Sequence, residues 1–232
     1  MKYYSTNNIT KFVSFREAIF RGLPEDNGLY MPGFIPRLPE GFYSSISDYG
    51  LADLAYEVLY PYIQTEIPEK ILREIIEEVF SFEIPLVELD ERLYALELFH
   101  GPTCAFKDIG ARFLARSLGY FTQQDNEEIT ILVATSGDTG SAVARGFHQV
   151  ANVNVKILFP LGRTSKLQQL QMTTLGDNVK AYGIDGSFDD CQELVKMAFL
   201  DEELRDKVNI TSANSINIAR MRSEERRVGK EC

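Results

Sequence analysis

The chain has 232 residues, 44% of them hydrophobic and 25% charged, with a formal net charge of −10. That length and balance allow one large or two small globular domains, and the acidity argues against nucleic acid or an anionic membrane as a partner. Two histidines and three scattered cysteines, Cys104, Cys191 and Cys232, suit neither a disulfide framework nor a metal centre. Reduced thiols are expected. The start, "MKYYSTNNIT", lacks an apolar signal core, and no run is long enough to span a bilayer, so the reading is cytoplasmic.

Residues 1–85 read as a mainly helical domain. Ser14 and Glu17 have capping-box spacing ahead of "FREAIFRG", and Gly22 is placed to end that helix. A loop rich in glycine and proline occupies 28–39. Two further helices are predicted, over 51–59 and 68–80. In the second, Ile71, Leu72, Ile75, Ile76 and Val79 recur at helical spacing and define one buried stripe. "SFEIP" then breaks the pattern at Pro85.

From residue 86 strand and helix alternate. "RLYALELF", "EITILVAT", "VNVKILF", "NVKAYGI" and "VNITSA" read as strands. The segments after them, "KDIGARFLARSLGYF", "SAVARGFHQV", "SKLQQLQMTTLG", "SFDDCQELVKMAF" and "NSINIAR", read as helices. The expected fold class is therefore α/β, a wound, mostly parallel sheet with flanking helices. Residues 86–221 would hold this lysine-bearing domain and the start of the next, a second large domain left incomplete. Cys191 falls on the packing face of its helix. The last stretch, 222–232, "RSEERRVGKEC", is more than half charged and matches the frame translation of a common sequencing adapter. It is expected to be a non-native tail on a shortened reading frame, a solvated native tail being the alternative.

Two fragments carry chemistry, both at strand-to-helix turns on the ligand-binding side of such a sheet. In "ELFHGPTCAFKDIGARF", Lys107 follows Cys104, Ala105 and Phe106; a lysine amine in a partly dry pocket is a nucleophile suited to a Schiff base with an aldehyde. A snorkelling surface lysine is the plain alternative. In "TSGDTG", Gly137 and Gly140 let the backbone approach a ligand, and successive amides at a helix start can hold an oxyanion. An ordinary helix-capping turn explains the same residues. Asp138 would repel a phosphate there, and fits better if it turns aside.

"LFHGPTCAFKD", "TSGDTG", "IDGSFDDCQELV" and "NSINIAR", in that order, resemble the threonine synthases, a family of the tryptophan-synthase-β-like (fold type II) pyridoxal phosphate enzymes. Cys104 departs from the leucine expected there. The resemblance implies pyridoxal 5'-phosphate as cofactor and conversion of O-phospho-L-homoserine and water to L-threonine and phosphate. It implies that Lys107 carries the cofactor as a Schiff base and moves protons, with Phe106 and Asp138 beside the cofactor. Ser136, Gly137 and Thr139 would grip the substrate carboxylate, and His100 and Thr103 would line the pocket. Arg163, Ser165, Asn214, Asn217 and Arg220 are candidates for the substrate phosphate. Ser165 and Asn214 could instead be helix caps, and Arg163 and Arg220 surface charges. No metal is implied, and the oligomeric state stays open.

The family's glycine-rich cofactor-phosphate loop, of the type "SGNFG", has no counterpart downstream of Lys107. The expectation is thus that the full-length enzyme is active and this polypeptide alone is not. Two rival readings stay open: a phospho-lyase of the same superfamily giving a 2-oxo acid and ammonia, and a non-catalytic anion-binding α/β module in which Lys107 only pairs with Asp108.

Overall fold

Ser14 opens the first helix as its spacing predicts. Its hydroxyl accepts the Glu17 N–H at 3.0 Å, and α1 runs Phe15–Arg21. In the computed structural model, which describes residues 1–223, Gly22 ends that helix at φ 66°. A side chain there would meet Thr211 Oγ1 at 2.9 Å, so glycine also permits the close approach of a distant strand. Most of the expected tail, 224–232, lies outside the described residues.

The N-terminal region holds a small sheet that its sequence did not announce. Strands β1 (Tyr3–Ser5), β2 (Asn8–Val13) and β3 (Tyr30–Pro32) pair antiparallel in the order β2-β1-β3. Two of the three are only three residues long, too short for alternation to register. Helices α2 (Leu51–Ile63) and α3 (Glu69–Val79) follow, the first one turn longer than predicted. Leu72, Ile75, Ile76 and Val79 form the buried stripe of α3.

Strand β4 (Leu86–Asp90) turns tightly into β5 (Leu93–Leu96), with Leu86 opposite Leu96 and Glu88 opposite Tyr94. This corrects the expectation that "RLYALELF" opens the parallel sheet. A two-residue connection can only return the chain antiparallel, whereas parallel pairing needs a crossover. The hairpin stands apart and is largely exposed.

The wound sheet consists of β6 (Ile129–Ala134), β7 (Val153–Pro160), β8 (Val179–Ile184) and β9 (Ile210–Thr211), all parallel, in the order β8-β7-β6-β9. Its helices are α4 (Lys107–Asp125), α5 (Asp138–Phe147), α6 (Lys166–Thr173), α7 (Phe188–Leu200), α8 (Glu202–Lys207) and α9 (Ile218–Ser223). Ile129, Ile131 and Val133 point into the main core, which is continuous with α1–α3. By the two-residue period Ala134 points the other way, onto Cys191 and Val195 of α7. Burial pushes the Cys191 thiol up, as suits a packing residue. The chain winds outward from β6 through β8, then returns to the far side of β6 with β9. The crevice at that reversal, beyond the strands' carboxyl ends, is where such sheets bind ligands. Among the described residues no helix is long and apolar enough to cross a membrane.

Helix α4 is tied to α3 by Arg116, whose Nε and Nη2 donate to Glu78 Oε1 at 2.7 and 2.5 Å. These bonds hold the Glu78 carboxyl below its ordinary range. The stabilisation is therefore present above the unfolded-state value and is lost as pH falls through the lower folded value. Glu78→Gln is expected to cost under about 1 kcal/mol near neutrality, since the pair is partly solvated. Urea unfolding near neutrality and in acid checks this: the two proteins should converge as the carboxylate protonates.

Candidate active site

Lys107 is the first residue of α4, and its position is set by the turn before it. Asp108, 1% exposed, accepts the Thr103 N–H at 2.9 Å and the Thr103 hydroxyl at 2.6 Å. Gly101 lies against this carboxylate, so closely that an added Cβ would stand 2.5 Å from Asp108 Oδ2. Cys104 closes the turn through its N–H to Gly101 O at 3.0 Å and takes φ 58°, unusual for a side chain with a Cβ.

The second arm is the loop from β6 into α5. Thr135 Oγ1 accepts the N–H groups of Gly137 and Gly140 at 3.0 and 2.8 Å, and Asp138 Oδ1 accepts that of Thr139 at 2.9 Å. Three amides that could have faced an anion are thus satisfied within the loop. Gly137 sits at φ 146°, and the close approach it permits is made by the Gln168 carboxamide of α6, which a Cβ at Gly137 would overlap.

The arms meet at the amine. Lys107 Nζ lies 3.0 Å from Asp138 Oδ2 and donates to Thr139 Oγ1 at 2.8 Å, with the Phe106 ring centroid 5.7 Å away. The lysine side chain is 19% exposed. A cavity of about 400 Å³ opens alongside, walled by Leu96, Leu98, Phe99, Cys104, Ala105, Phe106 and Asp138. The carboxylate partner of Lys107 is Asp138 and not Asp108, which corrects the pairing assumed in the anion-module reading. Adjacent residues on a helix do not face each other, and Asp108 is turned back to Thr103.

The remaining candidates fall elsewhere. His100 Nε2 is 2.6 Å from Glu97 Oε2 and its ring stacks on Phe99. Thr103 is bound to Asp108 as described, and Ser136 is exposed. Ser165 caps α6, accepting the Gln168 N–H at 3.2 Å; Arg163 is exposed on the loop before it. Asn214 is half-buried. Asn217 is fully buried and donates to Ile19 O and Ser212 O at 3.0 and 3.1 Å. Arg220 is likewise buried, donating to Ala213 O at 2.5 Å. Asn217 joins the segment after β9 to α1, and Arg220 ties α9 back to that segment. Thus Lys107, Phe106, Asp138 and Thr139 are brought together, while Asn217 and Arg220 form a buried group of their own. Gln168 is the residue that sequence reasoning passed over, and Asp108 was read only as a partner for Lys107, not as the anchor of the turn. Asp108 had a local signal, its five-residue distance from a threonine in a Gly-Pro turn; Gln168 had none.

A lysine amine held between a carboxylate and a hydroxyl, at the ligand side of a wound parallel sheet, is an arrangement suited to an α/β enzyme of carbonyl chemistry. A sequence family described as "Threonine synthase N terminus" matches residues 2–80, and one described as "Pyridoxal-phosphate dependent enzyme" matches residues 82–231. The threonine synthase of Haemophilus influenzae is 43% identical over 221 residues, spanning 95% of this chain and 51% of that protein. The crystal structure of threonine synthase from Escherichia coli superposes with a TM-score of 0.88 at 42% identity, covering 96% of this chain and 52% of that one. The pyridoxal-phosphate-bound threonine synthase of Brucella melitensis gives a TM-score of 0.89 at 41% identity, over 95% and 49% of the two chains. The chain belongs to the threonine synthase family of pyridoxal-phosphate-dependent enzymes. It spans about half the length of the curated relatives it matches.

Proposed function

We propose that this chain supplies the lysine-bearing part of a threonine synthase, which converts O-phospho-L-homoserine and water to L-threonine and phosphate with pyridoxal phosphate as cofactor. One observation carries the reading: Lys107 Nζ held 3.0 Å from Asp138 Oδ2 and 2.8 Å from Thr139 Oγ1 beside an apolar cavity. This donor set fits the aldehyde end of the cofactor, which needs an amine, a nearby proton acceptor and apolar walls. When bound, pyridoxal phosphate supplies an electron sink for the carbon bearing the substrate amino group.

Lys107 holds the cofactor through Nζ and moves protons between substrate carbons with the same atom. Asp138 and Thr139 orient that nitrogen, and Phe106 and Phe99 limit water in the cavity. Ser136, exposed on the loop, and the buried Gly137 beside it are assigned to the substrate carboxylate, with His100 and Thr103 at the pocket wall. For the substrate phosphate, Arg163 and Asn214 are the members of the candidate set least engaged within the chain; Ser165 caps α6, and Asn217 and Arg220 support the backbone after β9. The substrate is a small molecule, and unpaired Cys104 and Cys191 suit a cytoplasmic enzyme.

Product analysis of the complete gene product supplied with O-phospho-L-homoserine and pyridoxal phosphate tests the reading. Threonine and phosphate in equal amounts are expected. Ammonia with 2-oxobutyrate instead would assign the protein to the phospho-lyases.

A further inference from the structure

Helix α6 lies across both arms that hold the lysine. Its Gln168 carboxamide is seated on the Cα of Gly137, and one turn on, Met172 Sδ occupies the space a Cβ at Gly140 would need. Ser141 Oγ donates to Gly137 O at 3.1 Å and to Gln168 O at 3.4 Å, which ties α6 to the first turn of α5. The Gln168 side chain is itself fixed, because its Oε1 accepts the Ser165 hydroxyl at 3.1 Å. Gly137 is the backbone joint immediately before Asp138 and Thr139. At φ 146° and ψ −77° it has no side chain of its own to limit its rotation.

We propose that Gln168 is a positioning residue for Lys107. Pressed on Gly137, the carboxamide fixes the loop so that Asp138 Oδ2 and Thr139 Oγ1 converge on one nitrogen. The proposal rests on Lys107 being the cofactor-bearing amine, and it adds a residue that touches neither the lysine nor the cavity. Without Gln168 the loop keeps its internal Thr135 bonds but gains freedom at residue 137, and the amine loses its fixed direction. Misplacement of a reacting group by about 1 Å can cost on the order of a hundredfold in rate.

The test treats the 232-residue chain with pyridoxal phosphate, reduces it with borohydride and maps the adduct by mass spectrometry. Exposed Lys180 and Lys196 serve as internal references. Wild type is expected to label mainly at Lys107. Gln168→Ala is expected to lower the Lys107 share roughly tenfold with thermal stability nearly unchanged. Gln168→Met, which has the same reach, is expected to restore most of it. Gln168→Asn keeps the carboxamide but falls one methylene short, so it should behave like the alanine variant and reads the same contact if that variant unfolds. A wild-type share in Gln168→Ala or Gln168→Asn overturns the proposal. An equal loss in the neighbouring Gln169→Ala also overturns it, because the effect would then belong to α6 as a whole. Wild type without preference for Lys107 overturns the cofactor assignment itself, a result distinct from either.

Discussion

Lys107→Ala is expected to abolish adduct formation at this position and to lower threonine formation by the complete gene product roughly a thousandfold or more, the upper part of what a positioned proton-transfer group contributes. The loss should come without unfolding. Asp138, the ion-pair partner, keeps 42% of its side chain exposed, so water can solvate the carboxylate once the ammonium is gone. The pair is then worth about 1 kcal/mol or less. A melting curve close to wild type beside a lost reaction would separate chemistry from architecture. Lys107→Arg sharpens the comparison. It keeps a cation for Asp138, but a guanidinium stays protonated and cannot form the imine, so this variant should be as inactive as alanine. Turnover by Lys107→Ala within about tenfold of wild type would remove the amine from the mechanism.

What could be read from the sequence divides along a physical line. Helix α3 and strands β6 and β7 were legible because burial on one face, or on both, imposes a period that each residue repeats. Of the hairpin, β5 was legible as a strand while β4 was not, and its separateness from the sheet was hidden, since pairing direction depends on the connection and not on the strand's own residues. The ends of the two chemical fragments were legible as turns, because glycine next to serine, aspartate or proline has few other uses. Their meeting was not. Lys107 and Asp138 are separated by 31 positions in sequence, and no local pattern states that they share an ion pair. The warning lay in Asp138 itself, a carboxylate in a loop otherwise suited to anions. Asn217 and Arg220 show the converse difficulty. A basic or amide side chain beside a strand end looks the same in sequence whether it awaits a phosphate or satisfies buried carbonyls, and both of these donate to backbone carbonyls.

The turn that delivers Lys107 should be the most sensitive point for stability. Asp108→Ala is expected to destabilise the fold by about 3 kcal/mol, the scale of losing two hydrogen bonds to a buried charged group and leaving donors unpaired. Thr103 supplies both donors and is itself only 8% exposed, so its N–H and hydroxyl would find no water in place of the carboxylate. The Gly101 backbone, packed on Asp108, would lose its contact as well. Asp108→Asn should cost less, about 1 kcal/mol, because the side-chain shape is kept and the threonine hydroxyl can turn to accept from the amide. Urea unfolding with an unchanged slope would report these as losses of the native state. The two variants should also differ at the amine, since a frayed first turn of α4 releases Lys107 from its bearing toward Asp138 and Thr139. If Asp108→Ala unfolds within about 1 kcal/mol of wild type, the Thr103 bonds do not set the turn, and the direction of the lysine must come from α5 and α6 alone.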